Sequence, residues 1–75
     1  MLKLYQFEGC PYCQRVRAVL EEKGLPYAKV EVPGDRAERG ELLKVSGQYL
    51  VPVLVDGETV INDSARIIAY LNERY

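Results

Sequence analysis

Apolar and polar positions along the 75 residues change period several times, and each change marks an element. Leu2, Leu4, Tyr5 and Phe7 predict a short buried strand over Leu2–Phe7, broken by Glu8-Gly9. From Pro11 to Lys23 the spacing turns helical. Val16, Val19 and Leu20 share one face, and Arg15, Glu21 and Glu22 lie off it. Pro11 suits a first helical turn, where its missing N–H would have no partner anyway. Gly24 and Pro26 supply the stop. Tyr27 to Val32 alternates, with Ala28, Val30 and Val32 on one side and Tyr27, Lys29 and Glu31 on the other. That is the pattern of a strand with one covered face.

Pro33-Gly34-Asp35 reads as a turn, with Asp35 as the N-cap of a helix over Arg36–Val45. In this helix the apolar residues Leu42, Leu43 and Val45 crowd the second half, Gly40 falls inside, and Ser46-Gly47 ends it. Val51–Val55 is an apolar strand led by Pro52, a position where a strand tolerates proline. Asp56-Gly57 is a two-residue hairpin signal, and Glu58–Ile61 is the returning strand. Asn62-Asp63-Ser64 offers helix caps, and Ser64, Ile67, Ile68, Leu71 and Tyr75 recur at helical spacing. The order is βαβαββα. A helix joining the first two strands makes them parallel, and the hairpin makes the last two antiparallel. The prediction is an α/β chain with a four-stranded mixed sheet and three helices, close to the smallest form of the thioredoxin fold.

Composition narrows what such a chain does. No repeat, linker or low-complexity segment divides it, so 1–75 is expected to be one small domain. Lys+Arg 10 against Asp+Glu 11 leaves no basic surplus for nucleic acid or an acidic membrane. The longest apolar run, Leu50 to Val55, is too short to span a bilayer. The start lacks the apolar stretch and cleavage site of a signal peptide, so a cytoplasmic monomer is expected. With no histidine, mechanisms that need an imidazole base are excluded. Two cysteines make neither a disulfide-rich scaffold nor the four ligands of a structural zinc site.

The cysteines instead form Cys10-Pro11-Tyr12-Cys13, at the junction of a strand and a helix. A helix N-terminus presents unpaired N–H groups and a partial positive charge. Both favour a thiolate at Cys10. Cys13 lies one turn on, within reach of the Cys10 sulfur. Cys10 would attack a disulfide and Cys13 would resolve the mixed disulfide. Arg15 and Arg17 add positive charge to this turn and the next.

Cys10-Pro11-Tyr12-Cys13 in this setting resembles the active site of dithiol glutaredoxins, and the resemblance extends over nearly all of the chain. It implies a thiol–disulfide oxidoreductase that reduces protein disulfides and glutathionylated proteins. Glutathione would be reductant and co-substrate, and no metal is expected. It also implies a cis Val51-Pro52 bond facing the cysteines, with the Val51 backbone free to pair with extended glutathione as an added strand. Asp63-Ser64 reads on its own as helix-cap chemistry. It also resembles the acidic-Ser pair of glutathione transferase N-terminal domains, which implies that Ser64 and the helix N-terminus take the γ-glutamyl carboxylate and Asp63 the ammonium. Tyr12 is expected to line the groove.

Two departures from the common glutaredoxin pattern stand out. Val60-Ile61-Asn62-Asp63-Ser64 replaces a Gly-Gly with paired Asp residues, and Phe7 stands where a basic residue is common. Gln48, Arg39 and Lys44 are therefore the candidates for the glycyl carboxylate of glutathione. The alternative reading is an iron–sulfur cluster carrier, bridging two subunits through Cys10 and glutathione; Pro11 argues mildly against it. Conjugating transferase activity is not expected, because transferases continue past the position of Tyr75 into an all-helical domain.

Overall fold

The computed structural model describes residues 2–33, 39–47 and 50–75. The elements run β1 (Leu2–Gln6), α1 (Pro11–Glu22), β2 (Tyr27–Glu31), α2 (Gly40–Ser46), β3 (Val53–Asp56), β4 (Thr59–Asn62) and α3 (Ser64–Arg74). The four strands form one sheet in the order β2-β1-β3-β4. β1 pairs parallel with β2, from Leu2 opposite Tyr27 to Gln6 opposite Glu31. β3 pairs antiparallel with β1 and with β4. This is the predicted mixed sheet with three helices.

The two-residue side-chain period of a strand splits the core between the faces of the sheet. Leu2, Leu4 and Leu54 meet Val16 and Leu20 of α1 and Ile67 and Leu71 of α3. On the other face Tyr5 and Val53 meet Leu42 of α2.

Several boundaries differ from expectation. α2 begins at Gly40, with Arg39 as its N-cap, so Gly40 opens the helix instead of interrupting it. That places the glycine where it costs the interior nothing. The expected Asp35 cap and Arg36 start lie outside the described residues. β3 begins after Pro52, because proline has no N–H to give the ladder. The hairpin closes on Asp56 opposite Thr59, so its two loop residues are Gly57 and Glu58, one position later than predicted. Gly57 supplies the positive φ of 63°. Asp56 stays in the strand, where its carboxylate accepts the hydroxyls of Tyr70 at 2.6 Å and Tyr75 at 2.9 Å. Tyr75 is accordingly exposed and not part of the apolar face of α3.

The end of α1 matches its sequence signal closely. Gly24, at φ 67°, follows the cap residue Lys23. The N–H groups of Gly24 and Leu25 then bond the carbonyls of Glu21 and Leu20, each at 3.0 Å. This Schellman arrangement turns the chain back towards β2. Among the described residues, no helix is long and apolar enough to cross a membrane.

Candidate functional site

The site forms where β1, β3 and β4 meet the starts of α1 and α3. After β1 the chain turns at Phe7, whose carbonyl accepts the Cys10 N–H at 3.2 Å. Cys10 is the N-cap of α1, with extended dihedrals of φ −85° and ψ 115°. Its carbonyl accepts the Gln14 N–H at 3.1 Å, which opens the helix. Its sulfur does what a capping oxygen does elsewhere, accepting the backbone N–H of Cys13 at 3.4 Å.

The two thiols are free and differently placed. Cys10 is 5% exposed and borders a cavity, whereas Cys13 is 0% exposed and sits behind it. Burial is the first cause that pushes the Cys13 thiol from its ordinary 9.0 up to about 12. The hydrogen bond with Cys10 and the Cys10 charge add to the rise; the Phe7 backbone and the Arg17 charge oppose it. Cys13 is therefore held as a thiol next to a Cys10 sulfur that receives its N–H.

The cavity beside Cys10 measures about 680 Å³ and is lined by Phe7, Tyr12, Arg39, Leu50, Val51, Pro52, Asn62, Asp63 and Ser64 with Cys10 itself. Tyr12, Val51, Pro52, Asp63 and Ser64, widely separated in sequence, thus share one wall system with the first cysteine. The Val51-Pro52 peptide is cis, as the resemblance implied. Tyr12 is exposed at the rim, and the Arg15 guanidinium lies 5.7 Å from its ring centre. Of the two arginines expected to add positive charge to the first turns of α1, Arg15 stands on the solvent side and Arg17 is buried.

Asp63 is the N-cap of α3, yet its side chain makes no capping hydrogen bond, so the cap reading does not account for it. Its backbone lies at φ 73° and ψ 125°, a region L-residues rarely adopt. The Ile67 N–H bonds the Asp63 carbonyl at 2.9 Å, which leaves the N–H groups of Ser64 and the next two residues without intrahelical partners. Ser64 is buried on the cavity wall at this helix start. An exposed carboxylate thus stands beside a cluster of donors, a pairing suited to a ligand that carries an ammonium and a carboxylate together.

Of the three basic or amide candidates, the structure brings in Arg39. It is 4% exposed, its Nε donates to the Pro33 carbonyl at 2.7 Å, and its guanidinium lies 5.2 Å from the Phe7 ring centre. Lys44 is not part of the cavity lining, and Gln48 lies outside the described residues. Phe7, Leu50 and Asn62 were not anticipated as wall residues. Leu50 and Asn62 adjoin predicted site residues, which is the signal that could have found them. For Phe7 the signal was the missing basic residue, whose place its ring takes as a platform for Arg39.

Known proteins place this geometry. Residues 4–75 match the family described as glutathione S-transferase, N-terminal domain. The chain is 43% identical to glutathione S-transferase Z1 of Arabidopsis thaliana over 77 residues, covering 99% of this chain and 34% of that protein. It is 35% identical to glutaredoxin 3 of Escherichia coli (strain K12) over 60 residues, covering 79% of this chain and 72% of that protein. Among solved structures, glutathione transferase E6 from Drosophila melanogaster superposes with a TM-score of 0.91 at 35% identity, covering 100% of this chain and 35% of that one. The chain spans about a third of the length of these transferases. Its thioredoxin fold, the family match over residues 4–75 and the likeness to glutaredoxin 3 agree: this chain belongs to the glutathione S-transferase N-terminal domain family, a thioredoxin-fold family it shares with glutaredoxin-like sequences.

Proposed function

We propose that this chain is a glutathione-dependent thiol–disulfide oxidoreductase that reduces protein disulfides and protein–glutathione mixed disulfides. The observation that carries the reading is the placement of the Cys10 sulfur. It borders a cavity whose other walls are Val51, Asp63, Ser64 and Arg39, while a second thiol lies directly behind it. Glutathione-using relatives support the ligand.

In this reading Cys10 attacks as a thiolate, supported by the helix N-terminus. With a glutathionylated protein, a Cys10–glutathione disulfide forms and the protein thiolate leaves. The thiolate of a second glutathione then attacks that disulfide, releasing oxidised glutathione and regenerating Cys10. With a protein disulfide, Cys13 attacks the Cys10 mixed disulfide instead, and glutathione later reduces the Cys10–Cys13 bond. The extended tripeptide lies along Val51, its γ-glutamyl end against Asp63 and Ser64 and its glycyl carboxylate towards Arg39. Tyr12 and Pro52 flank the reacting sulfurs. A reducing compartment such as the cytoplasm suits this chemistry.

The test is turnover of a glutathionylated protein with reduced glutathione, glutathione reductase and NADPH. Steady NADPH consumption that depends on the chain is expected. Absence of turnover, or turnover supported by thioredoxin reductase but not by glutathione, overturns the reading.

A further inference from the structure

A line of polar contacts, buried at Arg17 and Gln6 and exposed at Glu8 and Lys29, links α1 to the ends of β1 and β2, and the reaction above does not use it. Arg17 follows Cys13 by one turn on the buried face of α1 and is 9% exposed. Its Nη1 donates to Oε1 of Gln6, a fully buried residue at the end of β1. The Gln6 Nε2 donates in turn to Oε1 of Glu31 at the end of β2. The Arg17 Nη2 lies 3.6 Å from the Glu8 carboxylate, whose other oxygen lies 3.6 Å from the Lys29 ammonium.

A buried guanidinium is costly unless it is paired, and these contacts pair it through one hydrogen bond to Gln6 and one ion contact to Glu8. They do so unevenly. The inner partner, Gln6, is neutral, and the carboxylate partner, Glu8, is well exposed and shared with Lys29. Positive charge is therefore retained at the inner end, beside the preceding turn of α1 that carries Cys13.

We propose that Arg17 is a positioning residue for the resolving step: its guanidinium, fixed by Gln6 and Glu8, stabilises negative charge on the Cys13 sulfur as that sulfur attacks the Cys10 mixed disulfide. The inference rests on the thiol–disulfide reading above. In the step, Cys13 gives its proton to water and its thiolate attacks the Cys10 sulfur. The Cys10–Cys13 bond forms as the bond from Cys10 to the partner sulfur breaks. The partner leaves with the electron pair as a thiolate and takes up a proton, so the two cysteines are oxidised and the partner is reduced.

The charge matters most at this step. Before it, the Cys10 sulfur adds to burial in holding the Cys13 proton. Once Cys10 is in a mixed disulfide its sulfur carries no charge. Burial then remains, opposed by the Phe7 backbone in the turn before α1 and by Arg17 within α1. Cys10 and Arg17 act on Cys13 by charge, and Glu8, Lys29 and Glu31 stand beyond Arg17 on the same line of contacts.

The experiment loads Cys10 with a chromogenic aromatic thiol and follows its release by stopped flow across pH, in the wild type and in Arg17→Met. In the wild type the release rate rises with pH as Cys13 ionises. In Arg17→Met the profile is displaced upward by about one pH unit, with release roughly tenfold slower near neutral pH. Arg17→Lys, which keeps the charge, recovers most of the rate. An unchanged profile in folded Arg17→Met, judged by circular dichroism, overturns the inference. Should Arg17→Met not fold, Glu8→Gln serves instead. Removing the competing carboxylate should displace the profile downward, and an unmoved or upward profile refutes the role. The release assay needs no glutathione. A displaced profile in a chain without glutathione-dependent turnover would overturn the functional reading and leave the Arg17 role standing.

Discussion

The backbone N–H of Cys13 points at the Cys10 sulfur from 3.4 Å, so the deeper cysteine serves the one that borders the cavity before any disulfide is present. The donor is main chain, and replacing the Cys13 side chain leaves it in place. Cys13→Ser should therefore keep deglutathionylation, which needs one thiol, and lose reduction of protein disulfides. Cys10→Ser should lose both. NADPH-coupled assays with the two substrate types check this, and full activity in the Cys10 variant would reverse the roles.

Asp63 holds a φ of 73° without a capping bond in return. Glycine adopts positive φ freely, so Asp63→Gly should stabilise the fold by about 1 kcal/mol. The same change removes the carboxylate proposed for the glutathione ammonium. The Kd for glutathione should rise roughly tenfold or more, the worth of a charge-assisted hydrogen bond. Thermal unfolding and calorimetric titration check the two arms. Higher stability with unchanged affinity would leave Asp63 without a binding role.

Arg39 stacks on Phe7 at the cavity wall. Arg39→Gln should raise the KM for glutathione roughly tenfold, about 1.4 kcal/mol, with little effect on kcat, because in the proposed binding mode the glycyl carboxylate lies away from the reacting sulfurs. An unchanged KM would remove Arg39 from the proposed contact with the glycyl carboxylate.

Asp56 joins the β3–β4 hairpin to α3 by accepting two tyrosine hydroxyls. The Tyr70 hydroxyl, then that of Tyr75, holds its carboxyl below the usual 3.8. A depressed carboxylate contributes stability that is present above 3.8 and lost as pH falls through the lower folded value. Tyr70 and Tyr75 are raised above 10.0, chiefly by the same bonds, so their contribution is present below 10.0 and lost as pH rises through the folded values. Asp56→Asn should flatten both limbs of a urea-stability profile against pH and lower the plateau between them. A profile that matches the wild type would remove the tie from the account of stability.

The Cys13 thiol adds a further alkaline limb. It is raised from 9.0 to about 12 by burial. Its contribution is whole below 9.0 and is lost as pH rises from there towards 12. In Cys13→Ala the decline over that window should be shallower. Urea midpoints on either side of the window measure it.

Local chemistry explains how much could be read in advance. The Gly24 stop of α1 and the helical spacing of Ile67 and Leu71 are preferences of neighbouring residues, and each was met; β2 alternates, but it is covered on both faces, with Tyr27 against the α1–α3 core and Val30 and Val32 against the other. The limits of β3 and the hairpin register shifted because Asp56 answers to Thr59 across the ladder and to Tyr70 and Tyr75 in α3. No short window contains those partners. Arg17 is the clearest case. In sequence it is one of two arginines after a cysteine; its burial depends on Gln6, eleven residues earlier.

What the sequence by itself determined is the order of elements and the thiol pair at a strand-to-helix turn, because hydrophobic period, turn residues and helix-start chemistry act within a few residues. What only the tertiary structure decided is which distant groups face that pair. Sheet order puts β3 beside β1 and so brings Val51 and Pro52 to Cys10. The backbone at Asp63 turns its carboxylate away from a cap, Phe7 seats Arg39 on the cavity wall, and burial separates Arg17 from Arg15. These are outcomes of packing, in which each side chain's place is set by groups far along the chain that compete for the same small interior.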